Sequence, residues 1–291
     1  MYFYIKRSIL PFFFMFLYGS GFIFCEYGLK NSSAMAFLEL RFFIAFCILF
    51  LITIVFKIPF PKTKKEFFQI AFAGSLTVGI FSIGGFLSIS YGISGATNAL
   101  IIALQPIIVT FLALKLLDED VNKKVCLGLI IGFVGVGFVV YTKIDFSSTT
   151  LLGLFWSFVS LMGLSIGSLY QKKYCSHMNL YSGGTIQTLS STILVIPFLL
   201  YEDSHINWNL DFTIALLYMT VGVSIGALSL LYVMIKNGEI SKVSSIFYLV
   251  PVSAVVVSFF LLEEKIEANQ IIGIITIIIG IILINKRKIY E

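Results

Sequence analysis

Runs of about twenty apolar residues recur about ten times in this 291-residue chain, and they leave it few ways to fold. They lie near 8–26, 34–56, 67–91, 97–117, 124–141, 151–172, 181–201, 211–235, 243–262 and 269–285. Each is long enough to cross the hydrocarbon core of a bilayer as a helix. No water is available there, so every backbone polar group must be satisfied within the segment or in a closed barrel. The alternating ten-residue pattern of a barrel strand is absent. Charged residues make up 12% of the chain, against about 25% in soluble domains. The expected fold is an all-α membrane protein of ten transmembrane helices.

A second regularity sits on top of the first. Pro106 and Pro251, Glu119 and Glu264, Gly128 and Gly273, and Gly135 and Gly280 are each separated by 145 positions, with no gap needed. Leu104 and Leu249 match at the same offset, as do Leu116–Leu117 and Leu261–Leu262. Apolar matches are cheap in a greasy chain, but Pro, Glu and Gly recur by chance far less often. Residues 1–145 and 146–291 are therefore expected to be two copies of one five-helix unit.

Charge gives the copies a direction. With the N-terminus placed in the cytoplasm, sixteen Lys and Arg residues fall on the inner side. Only Lys30, Lys143 and Lys265 fall outside, while Arg41 lies within a span. This is the asymmetry of the positive-inside rule. It places both termini inside, as an even number of spans requires. It also accounts for the net charge of +5 without a nucleic-acid partner. Lys6 and Arg7 precede an apolar stretch too long for a cleavable signal, so the first span is expected to be retained. Because each copy has an odd number of spans, the second must enter the membrane from the opposite side. Inverted repeats of this kind recur in secondary transporters, whose substrate sites lie near the midplane between the halves.

These residues resemble the EamA-like transporters of the drug/metabolite transporter superfamily. FLELRFF at 37–43 is similar to that family's second span. Residues 90–121 followed by 127–140 resemble its most recognisable stretch, and 231–266 followed by 271–283 resemble the same pattern again. Tyr18 and Ser20 stand where the family often has Trp and Asn. The resemblance covers essentially the whole chain. It implies a transporter of small molecules working by alternating access in the bacterial inner membrane. Export of amino acids or similar metabolites is the first choice, with export of drugs or toxic compounds, or metabolite import, as alternatives.

The recurring residues also have local readings. Pro106 and Pro251 fall mid-span, where a missing backbone donor bends a helix; each is read either as a static packing bend or as a hinge beside the cavity. Glu119 and Glu264 follow their spans, where an acid favours the positive end of the next helix; a gating ion pair is the alternative. Gly128–Gly132, Gly163–Gly167 and Gly222–Gly226 have the spacing of closely packed membrane helices.

Deep polar groups are the candidates for function, since charge inside a membrane usually faces an interior cavity. Glu39 and Arg41 are two residues apart, about 200° around a helix, and do not share a face. Arg41 is read as a structural anchor. Glu39 is the candidate coupling-proton site, or else an interfacial acid; Glu26 lies near the outer end of the first span. Tyr18, Tyr91, Asn98, Gln105, Trp156, Tyr170, Gln187, Tyr232 and Tyr248 are candidates to line the substrate path. Gln105 and Tyr248 stand out because they adjoin the prolines.

Other chemistry finds little support in the sequence. His177 and His205 fall in loops on opposite sides, and no HExxH or phosphate-binding loop is present. An intramembrane enzyme is thus disfavoured, and no cofactor or metal is expected. Cys25, Cys47, Cys126 and Cys175 show no CxxC spacing and read as small apolar residues. The expected partners are a small-molecule substrate, the lipid bilayer and protons as coupling ion, for a chain working as a monomer or homodimer.

Overall fold

The computed structural model describes residues 2–119, 121–144, 150–261 and 265–285. They form helices α1 (Tyr2–Leu29), α2 (Ala34–Val55), α3 (Lys64–Ser90), α4 (Gly95–Leu116), α5 (Lys123–Val140), α6 (Leu151–Tyr174), α7 (Leu180–Leu199), α8 (Leu210–Asn237), α9 (240–261) and α10 (Ala268–Asn285). Eight of these are long and apolar enough to cross a membrane. The other two differ for visible reasons. Within α1 the apolar stretch is the shorter Leu10–Gly21. α7 buries a polar face of Ser182, Thr185, Gln187, Thr188, Ser191 and Thr192.

Local chemistry sets where the helices begin. Thr63, Ser94, Asn122, Thr150, Asn179 and Asn209 each accept a hydrogen bond from a backbone amide in the first turn of the helix that follows. Such a cap satisfies one of the orphan donors and is worth about 1 kcal/mol. The bundle is built inside out relative to a soluble protein. Phe13, Leu51, Phe111, Ile130, Phe158 and Ile282 project from its surface, while Arg41, Gln105, Gln187, Ser157 and Ser191 are buried. An apolar exterior with polar groups inside suits hydrocarbon as the solvent.

Packing follows the repeat. α1 rests on α8 and α9 of the second half, and its counterpart α6 rests on α3 and α4 of the first. α2 pairs with α7, and α5 with α10. The last pair meets through glycines. A Cβ on Gly128 would stand 2.6 Å from the carbonyl oxygen of Gly280, and one on Gly135 would stand 2.9 Å from that of Gly273. As the numbering climbs in α5 it falls in α10, so the two helices are antiparallel.

Two features were not foreseen from the sequence. α3 is π-helical over Ser75–Ile80, and α8 is π-helical over Tyr218–Ala227. Moved by the same 145 positions, Ser75–Ile80 falls on 220–225, inside the second segment. The prolines also sit differently from a simple mid-helix bend. α4 breaks at Ala103–Leu104 and resumes at Gln105, which leaves Pro106 in the first turn of the new segment. α9 passes through a 3₁₀ turn at Ser245–Tyr248 and resumes at Leu249, with Pro251 in the first turn. First-turn amides have no intrahelical acceptor, so proline costs little there.

The GxxxG spacings divide in the same way. Gly163 and Gly167 press on α3 near Leu76, Thr77 and Ile80, whereas Gly222 stands nearest the Tyr218 ring of its own helix and Gly226 nears Leu17 of α1 at 3.4 Å. Glu264 lies outside the described residues, and so does the side chain of Glu26.

Candidate functional site

A cavity of about 120 Å³ opens between the halves. Helices α1, α2, α3, α4, α6, α8 and α9 all contribute to its wall. The lining residues lie in the later parts of α1 and α3, the earlier parts of α2, α4, α6 and α8, and the middle of α9. All of these lie away from the end that carries Lys64, Lys115, Lys123, Lys172 and Lys236. Both helix breaks border the space: Ile102 and Ala103 from α4, and Phe247, Val250 and Pro251 from α9. A broken helix is where backbone groups become available to a ligand, and transporter sites recur at such places.

The wall is mainly apolar, with four aromatic rings among its residues. Tyr18 stacks with Phe81 at 6.5 Å and meets Phe247 edge-on at 5.6 Å. Phe86 and Met219 extend the apolar surface. Against this stand a few polar groups: Arg41, Asn98, Ser82 and Ser160. Asn98 is held in place because its Oδ1 accepts a hydrogen bond from Ser157 Oγ at 2.6 Å. Arg41 is 6% exposed, and its Nε donates to Ser224 Oγ at 2.7 Å. Sequence reading took Arg41 as an anchor; the structure places it in the cavity wall.

The remaining sequence candidates are dispersed. Gln105 is fully buried and does not line the cavity, and neither its amide oxygen nor its nitrogen has a partner among the described residues. Tyr91 is exposed at the end of α3, where its carbonyl accepts from the Thr150 hydroxyl. Trp156 stacks edge-on with Phe155 and Phe198. Tyr170 sits among Phe72 and Tyr174. Gln187 and Tyr232 lie beside a separate small crevice, where Gln187 Nε2 donates to Gln171 Oε1 at 2.8 Å and the Tyr232 hydroxyl pairs with Thr77. Tyr248 is wedged against Gly132, and its hydroxyl donates to the Leu129 carbonyl at 3.0 Å. Glu39 is half-buried outside the cavity wall, and its Oε2 is buried without a partner among the described residues.

Toward the lysine-bearing end the bundle is shut. The Glu119 carboxylate accepts hydrogen bonds from the Ile240 amide at 2.6 Å, the Ser241 amide at 3.2 Å and the Ser241 hydroxyl. It thereby ties the end of α4 to the start of α9. Lys172 Nζ donates to the carbonyls of Ile235 and Gly238, each at 2.8 Å, which closes the end of α6 onto that of α8. Gln105, Thr110, Ser168 and Gln187, on the helix portions leading to this end, all keep buried polar atoms without partners among the described residues. Sequence reading missed the Glu119 and Lys172 clasps, because each joins residues more than sixty positions apart. Among the described residues, no cluster of three or more His, Cys, Asp or Glu is arranged to hold a metal ion.

Comparison with known proteins fits this geometry. The chain is 25% identical to the uncharacterized transporter YvbV of Bacillus subtilis over 289 residues, which covers 97% of this chain and 92% of that one. It is 22% identical to a probable amino-acid metabolite efflux pump of Escherichia coli, across 95% and 93% of the two chains. A solved crystal structure superposes with a TM-score of 0.80 at 13% identity, over 96% of this chain and 97% of that one, which speaks to fold alone. The EamA-like transporter family matches twice, over residues 7–141 and again over 151–286. A multi-pass membrane protein with this doubled match belongs to the EamA-like transporter family.

Proposed function

We propose that the chain is a ten-span secondary transporter whose two inverted halves, 1–145 and 146–291, expose one central cavity alternately to the two sides of the membrane. One observation carries the reading: a cavity bordered by both helix breaks lies toward one end of the bundle, and the opposite end is clasped by Glu119 and Lys172. The crossed glycine contacts support the inversion. Gly128 meets Gly280 while Gly135 meets Gly273, which is what a two-fold axis perpendicular to α5 and α10 produces. The lysine-rich end is assigned to the cytoplasm of a bacterial inner membrane, with both termini there. The cavity then faces outward in this state.

The unpartnered polar atoms fit the same scheme. An unsatisfied buried group costs about 1–3 kcal/mol. Opening the cytoplasmic half would hydrate Gln105, Thr110, Ser168 and Gln187 and recover that energy, offsetting the loss of the clasps. Two states of similar energy are what alternating access requires. The cargo is a small metabolite, an amino acid or a related compound, and the direction is export; the printed name of the Escherichia coli relative supports this choice. Glu39 is assigned as the coupling-proton site.

The experiment is flux in proteoliposomes, with a panel of amino acids, organic acids and amines measured with and without a pH gradient. Saturable flux of at least one class is expected. Absence of saturable flux for every class would contradict the reading.

A further inference from the structure

Arg41 is a buried cation that no acidic side chain among the described residues balances. Its guanidinium keeps its proton in a protein. Its Nε uses one donor on Ser224 Oγ at 2.7 Å, and its side chain forms part of the cavity wall. Among the described residues no Asp or Glu pairs with it, and none lines the cavity. Asn98, Ser82 and Ser160, which share the wall, are an amide and two hydroxyls and carry no charge. A single buried charge in a low-dielectric site is costly unless a counter-charge arrives.

The rest of the cavity states what else the counter-charge must carry. Phe81, Phe86, Phe247 and Met219 present an apolar surface that a hydrocarbon or aromatic body would cover. Asn98 and Ser160 offer a few fixed polar atoms and no further charge. The guanidinium fork is matched in shape to a carboxylate, which it can bind through two parallel hydrogen bonds.

We infer that the cargo is a small organic anion of net charge −1, with its carboxylate on Arg41 and its apolar body against Phe81, Phe86 and Phe247. This rests on the transporter reading above and moves its cargo from zwitterionic amino acids to the related compounds whose carboxylate has no ammonium beside it. A monoanion neutralises the loaded cavity, so the occupied site can be enclosed between the halves without an unpaired charge. A zwitterion would leave the cavity with its positive charge, and an amine would double it.

The test uses three probes of nearly the same size: 3-phenylpropanoate, its amide 3-phenylpropanamide, and 2-phenylethylamine. Binding to the purified full-length chain is read from thermal stabilisation, and flux is read in proteoliposomes. The acid is expected to bind and move at least about tenfold better than the amide or the amine, since a charge-assisted contact contributes that much. Arg41→Gln is expected to abolish the preference, and Arg41→Lys to retain it with weaker binding. Equal handling of acid and amide by the unaltered chain overturns the inference, whatever the variants do. An undiminished preference in folded Arg41→Gln overturns it as well. Saturable flux of the amine with none of the acid removes the anion and leaves the transporter reading standing, whereas no flux of any compound removes both.

Discussion

Gly128 and Gly280 touch backbone to backbone. A Cβ on either would stand within 2.7 Å of the other's carbonyl oxygen, closer than any real contact allows. Gly135 and Gly273 repeat the relationship one helical stretch away. The crossing leaves no room to give, because the obstructing atoms are main chain.

Gly128→Ala and Gly280→Ala should therefore each destabilise the bundle by about 1–3 kcal/mol, the usual cost of overpacking. Gly137, in the same helix, faces open space. Its replacement by Ala should be neutral or mildly stabilising, since Ala is the better helix former. Unfolding of the three variants in a common detergent by chemical denaturation checks the contrast.

The Glu119 clasp holds the lysine-bearing end shut through charge-assisted hydrogen bonds to the start of α9. Glu119→Ala should shift the population toward the cytoplasm-open state by about 1–3 kcal/mol, or roughly 5- to 150-fold. Reaction of a thiol placed at Gln105 with reagent on the cytoplasmic side should rise accordingly. An unchanged rate would assign Glu119 to capping alone.

Cys25 lines the cavity, while Cys175 is buried near the lysine-bearing end. With Cys25 as the sole cysteine, a membrane-impermeant thiol reagent should label right-side-out vesicles from the periplasmic side, and cargo should slow the reaction. With Cys175 alone the same reagent should fail. The reverse pattern would invert the assigned orientation.

Glu39 does not line the cavity, and its buried oxygen has no partner among the described residues. Glu39→Gln should flatten the pH dependence of flux while leaving cargo affinity in place. An unaltered pH profile would remove it as the proton site.

The layout of the molecule was legible because its causes are local or periodic. Apolar runs long enough to span a bilayer report helices directly, and Gly128, Gly135, Gly273 and Gly280 stood out at one offset before their contacts were known. The prolines were found but misjudged in detail, since each break ends two or three residues before Pro106 or Pro251 and places it in a first turn. The paired π-helical segments left no trace, because they depend on how α3 and α8 pack rather than on residue type. Of the site, Tyr18 and Asn98 could be named from polarity at depth, but polarity at depth is shared by Tyr232 and Tyr248, which are satisfied by Thr77 and the Leu129 carbonyl instead. Arg41 was seen, and its surroundings were not. Whether a buried cation meets a carboxylate or a cavity is decided by other helices.

Alternation of the two halves is most directly tested by distances measured between spin labels in lipid nanodiscs on a chain freed of native cysteines. One pair, Lys115→Cys with Glu239→Cys, reports the clasped end between α4 and α9. The other, Gly95→Cys with Lys265→Cys, reports the opposite end, where a side chain at Gly95 meets nothing within 4 Å. Two populations are expected for each pair, and cargo should lengthen one distance as it shortens the other. Single, cargo-independent distances at both ends would contradict the account.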